Sequence, residues 1–238
     1  PEVGALSLGT SGDVFVPTDQ PLVQSPGRVH SFCHALPDTW HVMGVMLSAA
    51  GSLRWYRDTL APGVDFADLV AEAGSVPAGA DGLLFLPYLP GERTPHADPD
   101  ARGAFVGLTV RHTRAHLTRA VLEGVAFGLR DGLELMRGTG VRVPGEFRAS
   151  GGGTKSLLWT QIVADVLGVP MVTTGTAEGA AFGAAVLATP AAGWFSSVGD
   201  AARAMVVLGQ RTSPTDPPAY AEAYARYGRL YPALAGAR

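Results

Sequence analysis

Three consecutive glycines, Gly151, Gly152 and Gly153, stand inside the stretch Ala149-Ser150-Gly151-Gly152-Gly153-Thr154-Lys155-Ser156. They separate a short apolar segment from a run of helical periodicity. Glycine has no Cβ, so a backbone built from it can approach a flat or charged ligand closely. The helix that follows points its free N–H groups back at the same spot, and that end attracts anions. A nucleotide has both properties. The same residues suit a tight strand-to-helix turn that binds nothing. A second candidate is Gly9-Thr10-Ser11-Gly12, two hydroxyls between two glycines. Backbone N–H groups and hydroxyls at such a tip can wrap a phosphate, although glycine and serine are also ordinary turn residues.

Two familiar nucleotide motifs do not fit the glycine run. A P-loop needs Gly-x-x-x-x-Gly-Lys-Ser/Thr; Lys155-Ser156 supplies its end, but Ala149 and Thr154 stand where its glycines belong. A dinucleotide fingerprint needs a third glycine where Ser156 stands, and an acid closing the next strand, which Pro170 to Thr174 lacks. A third polar group is Glu92-Arg93, in a loop dense with proline and glycine from Pro87 to Pro95. Loops of this kind often carry function; the alternative is a surface ion pair on a stiff loop. None of the six histidines sits in an HExxH or ligand-spaced pair, so structural or surface roles are expected for all, and no metal site is expected.

At 238 residues with a net charge of −3 and no basic block, nothing points to nucleic acid or an anionic membrane surface. The single cysteine, Cys33, excludes an internal disulfide framework and any CxxC metal site and is expected to be a small buried hydrophobe. No apolar run has membrane-spanning length. A cytoplasmic enzyme is the natural class. The chain opens with Pro1-Glu2 directly before a strand, without Met or leader, as expected of a piece cut from a longer protein.

The elements that must position these groups follow from periodicity. Val3 to Leu8 and Asp13 to Val16 predict a β-hairpin with Gly9 to Gly12 at its tip. Strands are expected over 29–34 and 39–43, and a helix over 44–60 with Leu47, Leu53, Tyr56 and Leu60 on or near one face and Gly51 in its middle. A short helix over 66–73 and a strand over 83–86 precede the 87–95 loop. The longest helix is expected over 113–137, stopped by Gly138, with Gly124 and Gly128 allowing close contact. A strand over 147–149, a helix after Ser156, a strand over 169–173 and helices over 178–188, 198–206 and 217–231 complete the pattern. Strand–helix alternation behind an antiparallel opening means α/β, in one domain.

Three segments, in order, resemble one family. Gly103-Ala104-Phe105-Val106-Gly107-Leu108, followed by His116-Leu117-Thr118-Arg119-Ala120-Val121-Leu122-Glu123, is similar to the second signature of the FGGY carbohydrate kinases at every defined position. Gly9 to Gly12 resembles their second phosphate loop, and Gly151-Gly152-Gly153 with Ser156 resembles their adenosine turn. The loop from Pro87 to Gly103 is most similar to that of the xylulose kinases within the family. The resemblance implies an actin-like, ribonuclease H-type α/β fold with a mixed sheet flanked by helices. It implies that 1–238 is the C-terminal, nucleotide-binding domain, with a sugar-binding N-terminal domain and the catalytic Asp lying before Pro1. The implied activity is ATP-dependent phosphorylation of a sugar, with D-xylulose favoured over gluconate, ribulose or glycerol, and ATP with Mg2+ as ligands. The alternative from another class is an actin-like ATPase without a sugar. By resemblance, Thr10, Ser11 and Gly12 hold phosphates; Gly151, Gly152, Gly153 and Ser156 face the adenosine; Ala50, Gly51 and Arg54 line the nucleotide pocket; and Glu178 begins the helix flanking the base. Glu92 and Arg93 are expected to fix their loop or to touch the sugar. A homodimer is compatible with the family pattern. Asp13 departs from the uncharged residue expected beside the phosphate loop.

Overall fold

The computed structural model describes residues 3–23, 27–176, 179–215 and 220–236. In chain order the elements are β1 (Val3–Leu8), β2 (Gly12–Thr18), β3 (His30–Cys33), β4 (Trp40–Met46), α1 (Ala50–Leu60), α2 (Phe66–Ala73), β5 (Leu84–Leu86), β6 (Ala104–Val106), α3 (Arg114–Gly138), β7 (Glu146–Ser150), α4 (Leu157–Leu167), β8 (Met171–Thr174), α5 (Gly179–Ala188), α6 (Val198–Met205), β9 (Leu208–Thr212), α7 (Ala221–Tyr227) and α8 (Leu230–Ala235). Seven strands form one mixed sheet in the order β3-β4-β2-β1-β7-β8-β9, and β5-β6 is a separate pair. β1, β7 and β8 run parallel, and the remaining neighbours are antiparallel.

Alternation along the central strands sets the layers. Leu6 and Leu8 of β1 and Val14 and Val16 of β2 are buried, while Ala5, Ser7, Asp13 and Phe15 between them face the other side. Strands put successive side chains on opposite faces, so the first set meets the helical layer. There Gly12 of β2 lies against Leu129 of α3, and Met46 of β4 against Gly128. α3 is the spine of that layer, held at its start by Thr113, whose N–H donates to His116 Nδ1 (3.2 Å). Arg119 and Glu123, both in the segment that carries the family likeness, form a buried ion pair (2.6 Å). Arg119 also donates to Tyr220 Oη (2.7 Å), and Glu123 accepts the Gly79 N–H (3.0 Å). That segment therefore ties α3 to two distant parts of the chain. Among the described residues no helix is long and apolar enough to cross a membrane.

Several expectations are corrected. The helix expected from residue 44 begins at Ala50, because Val45 and Met46 pair with Asp13 and Gly12 as strand. Leu47 thus precedes the helix and Leu60 is half exposed, leaving Leu53 and Tyr56 as its buried anchors. The helix expected over 217–231 is two short helices, α7 and α8, with Pro217 outside the described residues. β6 and β9 were not anticipated. Cys33 is exposed rather than buried.

The close contact allowed by Gly124 is made with a strand. A Cβ there would lie 2.2 Å from the Phe85 carbonyl oxygen of β5. Alanine in a helix is favoured over glycine by about 1 kcal/mol, but overpacking of this severity costs about 1–3 kcal/mol or more. Gly124→Ala is therefore expected to lower stability by about 2 kcal/mol, read from urea midpoints. Gly138→Ala, with no atom within 4 Å of the added Cβ, is expected to be neutral or slightly stabilising. A Gly124→Ala midpoint at or above wild type would overturn the packing argument.

Candidate functional site

The hairpin tip is held by the start of α1. Ala49 and Gly51 N–H groups both donate to the Thr10 carbonyl (2.8 and 3.1 Å), and the Ala50 N–H donates to the Gly9 carbonyl (2.8 Å). The first amides of a helix have no partner within it; here the hairpin supplies them. Gly51 sits at the second position of α1, not in mid-helix, and a Cβ there would meet the Thr10 carbonyl oxygen at 2.9 Å. The absence of a Cβ at Gly51 is needed for this contact with the tip. Thr10 is exposed at the tip, Ser11 is half-buried, and Gly12 is buried against Met46, Ala49 and Leu129. Gly12 is therefore a packing residue.

The three glycines after β7 have separate jobs. Gly151 has φ 96°, and an added Cβ would lie 2.6 Å from the Leu8 carbonyl carbon. At Gly153 it would lie 2.5 Å from the Leu8 side chain. At Gly152 it would meet nothing within 4 Å, and Gly152 is exposed. Residues Gly152–Lys155 make a 3-10 turn, and Ser156 then caps α4 by accepting the Trp159 N–H on Oγ (3.1 Å). A serine at this cap satisfies one orphan amide.

Gly152, Gly153, Lys155 and Ser156 form one wall of an open cavity of about 660 Å3. Ala50 and Arg54 of α1 line it as well, so five of the expected nucleotide residues meet there. The rest of the lining is largely apolar, with Phe66, Val70 and Ala71 of α2 and Leu158 and Trp159 of α4. Sequence reasoning gave that apolar lining no role and assigned none to Lys155. An open, largely apolar cavity with two cationic side chains, Arg54 and Lys155, suits a ring system bearing phosphate, and its size is that of ligand clefts. Thr10, Ser11 and Gly12 are not part of its lining; the tip reaches it through the Ala50–Gly9 hydrogen bond.

The remaining expected residues lie elsewhere. Glu178 is outside the described residues; its neighbour Gly179 packs against Ser150, where an added Cβ would lie 2.9 Å from Oγ. Gly179, Ser150 and Asp13 line a second cavity of about 820 Å3 on the opposite face of the sheet. Burial pushes the Asp13 carboxyl up, and Arg93 partly offsets this. Glu92 is only 2 % exposed. One of its oxygens accepts the Leu47 and Arg93 N–H groups (2.8 Å each), and burial raises its carboxyl to about 8. It fixes the loop and does not reach a surface. Arg93 is exposed, its Nε donating to His30 Nε2 (2.9 Å). No group of three His, Cys, Asp or Glu among the described residues could hold a metal ion.

Residues 4–192 match the family model of the C-terminal domain of the FGGY family of carbohydrate kinases. A xylulose kinase of Escherichia coli is 46% identical over 188 residues, covering 79% of this chain and 38% of the relative. One of Staphylococcus epidermidis is 37% identical over 227 residues, covering 94% and 46%. The crystal structure of a xyloylose kinase from Brucella ovis superposes with a TM-score of 0.89 at 40% identity, covering all of this chain and 49% of that one. The chain spans about half the length of the curated relatives it matches. With its mixed sheet flanked by helices in the actin-like arrangement, and with the matched region running from β1 through α5, the chain belongs to the FGGY family of carbohydrate kinases.

Proposed function

We propose that this chain is the ATP-binding half of a sugar kinase, with D-xylulose as the acceptor. The observation that carries the reading is the cavity lined jointly by Gly152, by Phe66, Val70 and Ala71 of α2, and by Arg54 and Lys155, with no atom within 4 Å of a Cβ added at Gly152. The adenine would lie between the glycine turn and α2, and the phosphates would run toward the hairpin tip at Thr10 and Ser11. In the reaction the γ-phosphoryl leaves the β-phosphate oxygen, giving ADP, and bonds to a sugar hydroxyl oxygen whose proton passes to a base. Such transfers depend on positioning and charge stabilisation. The cavity lining includes no carboxylate, so the base and the sugar contacts belong, on this reading, to a sugar-binding domain preceding this one, as the length of the relatives supports. Mg2+ would arrive with the triphosphate, since it is commonly held by substrate phosphates with few protein ligands. Xylulose is preferred to gluconate, ribulose or glycerol on the names of the relatives.

The test has two arms. Calorimetry on the 238-residue chain is expected to show weak ATP binding, and a coupled ADP-release assay on it is expected to show no turnover with D-xylulose. A longer protein containing this chain and the preceding domain is expected to release ADP only when the sugar is added. Absence of ATP binding by the chain would remove the nucleotide assignment. Sugar-dependent ADP release by the chain alone would show that a base lies within it.

A further inference from the structure

The last residues of β4 lack a strand on their outer edge. β3 pairs with β4 only from Trp40 to Met43. Beyond that point the 92–94 segment takes over. Thr94 N–H donates to the Val45 carbonyl (2.9 Å), Val45 N–H donates to Thr94 Oγ1 (3.1 Å), and Leu47 N–H donates to Glu92 Oε1 (2.8 Å). Two side chains thus stand in for a missing strand. Glu92 is itself fixed: its backbone exchanges two hydrogen bonds with Asp98 (2.8 Å each), and its Oε1 also accepts the Arg93 N–H. Its second oxygen, Oε2, is buried without a partner among the described residues. The carboxylate itself is buried.

Leu47 is two residues from the amides that grip the hairpin tip. After it, Ser48 is buried and its Oγ lies 2.9 Å from Ser52 Oγ of α1. Ala49, Ala50 and Gly51 then donate to the Thr10 and Gly9 carbonyls. Ala50 also lines the cavity. The run from Glu92 to Thr10 is a continuous series of hydrogen bonds and buried short segments. Glu92, Ser48, Ala49 and Ser52 within it are buried.

Resting on the nucleotide reading above, we propose that Glu92 is a positioning residue for the nucleotide site: by holding the Leu47 amide it sets the start of α1, and through it the hairpin tip at Thr10. It touches neither nucleotide nor sugar. What it needs is an acceptor oxygen at the position of Oε1, a requirement that glutamine meets and leucine does not.

The experiment compares Glu92→Leu, Glu92→Gln and wild type at a temperature where circular dichroism shows all three folded. ATP affinity is measured by calorimetry, and amide hydrogen exchange is followed at Ala49, Ala50 and Gly51. Leaving the Leu47 and Arg93 amides without their carboxylate acceptor is expected to weaken ATP binding about tenfold in Glu92→Leu and to speed exchange at Ala49, Ala50 and Gly51. Exchange in the middle of α3 should not change. Glu92→Gln is expected to restore both properties to near wild type, which a generally destabilising loss would not predict. Should Glu92→Leu not fold, Glu92→Asp, whose acceptor is withdrawn by one methylene, is expected to show the same pair of changes. Faster exchange with unchanged affinity, or lower affinity with unchanged exchange, overturns the proposal. Failure of glutamine to rescue overturns it as well. If the wild-type chain binds no ATP, the nucleotide reading falls, and the exchange rates alone decide whether Glu92 sets the hairpin tip.

Discussion

Gly152→Val is expected to weaken ATP binding about 100-fold, a loss of about 2.8 kcal/mol, with a thermal midpoint within about 2 °C of wild type. The two halves of this expectation have one cause. An added Cβ at Gly152 meets no protein atom within 4 Å, so the fold has no reason to object. Gly152 is also one of the residues that line the cavity, so a branched side chain there is expected to compete with a ligand. The neighbouring glycines supply the contrast. Gly151→Val would combine φ 96° with a contact of 2.6 Å to the Leu8 backbone, and Gly153→Val would drive into the Leu8 side chain at 2.5 Å. Each is expected to cost about 3 kcal/mol or more through strain and overpacking. Calorimetric titration of the folded Gly152→Val chain, beside thermal melts of all three, separates the roles. Unchanged ATP affinity in Gly152→Val would remove this turn from the nucleotide site.

How much of this could be read beforehand depended on how local its cause was. The hairpin was legible because Leu6, Leu8, Val14 and Val16 alternate and glycines mark the tip. α3 was legible from its long apolar period. The start of α1 was not, because Val45 and Met46 are strand only through pairing with β2, a contact between residues some thirty positions apart. β9 carries exposed polar residues at a sheet edge, with no period to detect. In the site, glycine and serine marked the turn, but its three glycines look alike in sequence and differ only in what surrounds them. The wall from α2 was hidden for another reason: Phe66 and Val70 are apolar at helical spacing, and apolar spacing does not say whether a face meets core or ligand. Arg119 and Glu123 show the converse. They lie in the most specific motif of the chain, yet they are buried as a brace between α3, Gly79 and Tyr220. Glu92 in a Pro/Gly-rich loop was expected to fix that loop or to touch the sugar, and the missing strand beside Val45 to Leu47 explains why it is inside.

The burial of Glu92 has a pH signature of its own. Its carboxyl is raised from 4.5 to about 8, first by desolvation; the Leu47 and Arg93 amides oppose the shift, and Asp131 of α3 adds to it. Tyr88 of the loop and Tyr227 of α7 also feel its charge, and burial holds both well above the ordinary tyrosine value. A folded-state value above the unfolded one means the native chain keeps a proton that the unfolded chain has released. The stability this contributes is fully present below about 4.5 and is lost as pH rises through about 8. Asp131, raised to about 6 mainly by burial, acts in the same direction but has finished by the time pH passes that value. Glu123 and Asp13 are also raised by burial, but both are common to wild type and Glu92→Gln, so the difference between the two proteins from pH 6 to 8 reports Glu92. Wild type is expected to lose about 2–3 kcal/mol across that interval relative to Glu92→Gln, at 1.36 kcal/mol per pH unit. Glutamine keeps the acceptor for Leu47 and carries no charge, so its own curve lacks this slope. The histidines are common to both proteins and cancel in the difference. Above pH 8 Glu92→Gln should be the more stable of the two, a reversal that loss of an ordinary surface ion pair would not produce. Urea midpoints at pH 6, 7, 8 and 9 for both proteins decide the matter. Parallel curves would mean that Glu92 ionises as freely in the fold as out of it, contrary to a carboxylate with one buried, unpartnered oxygen.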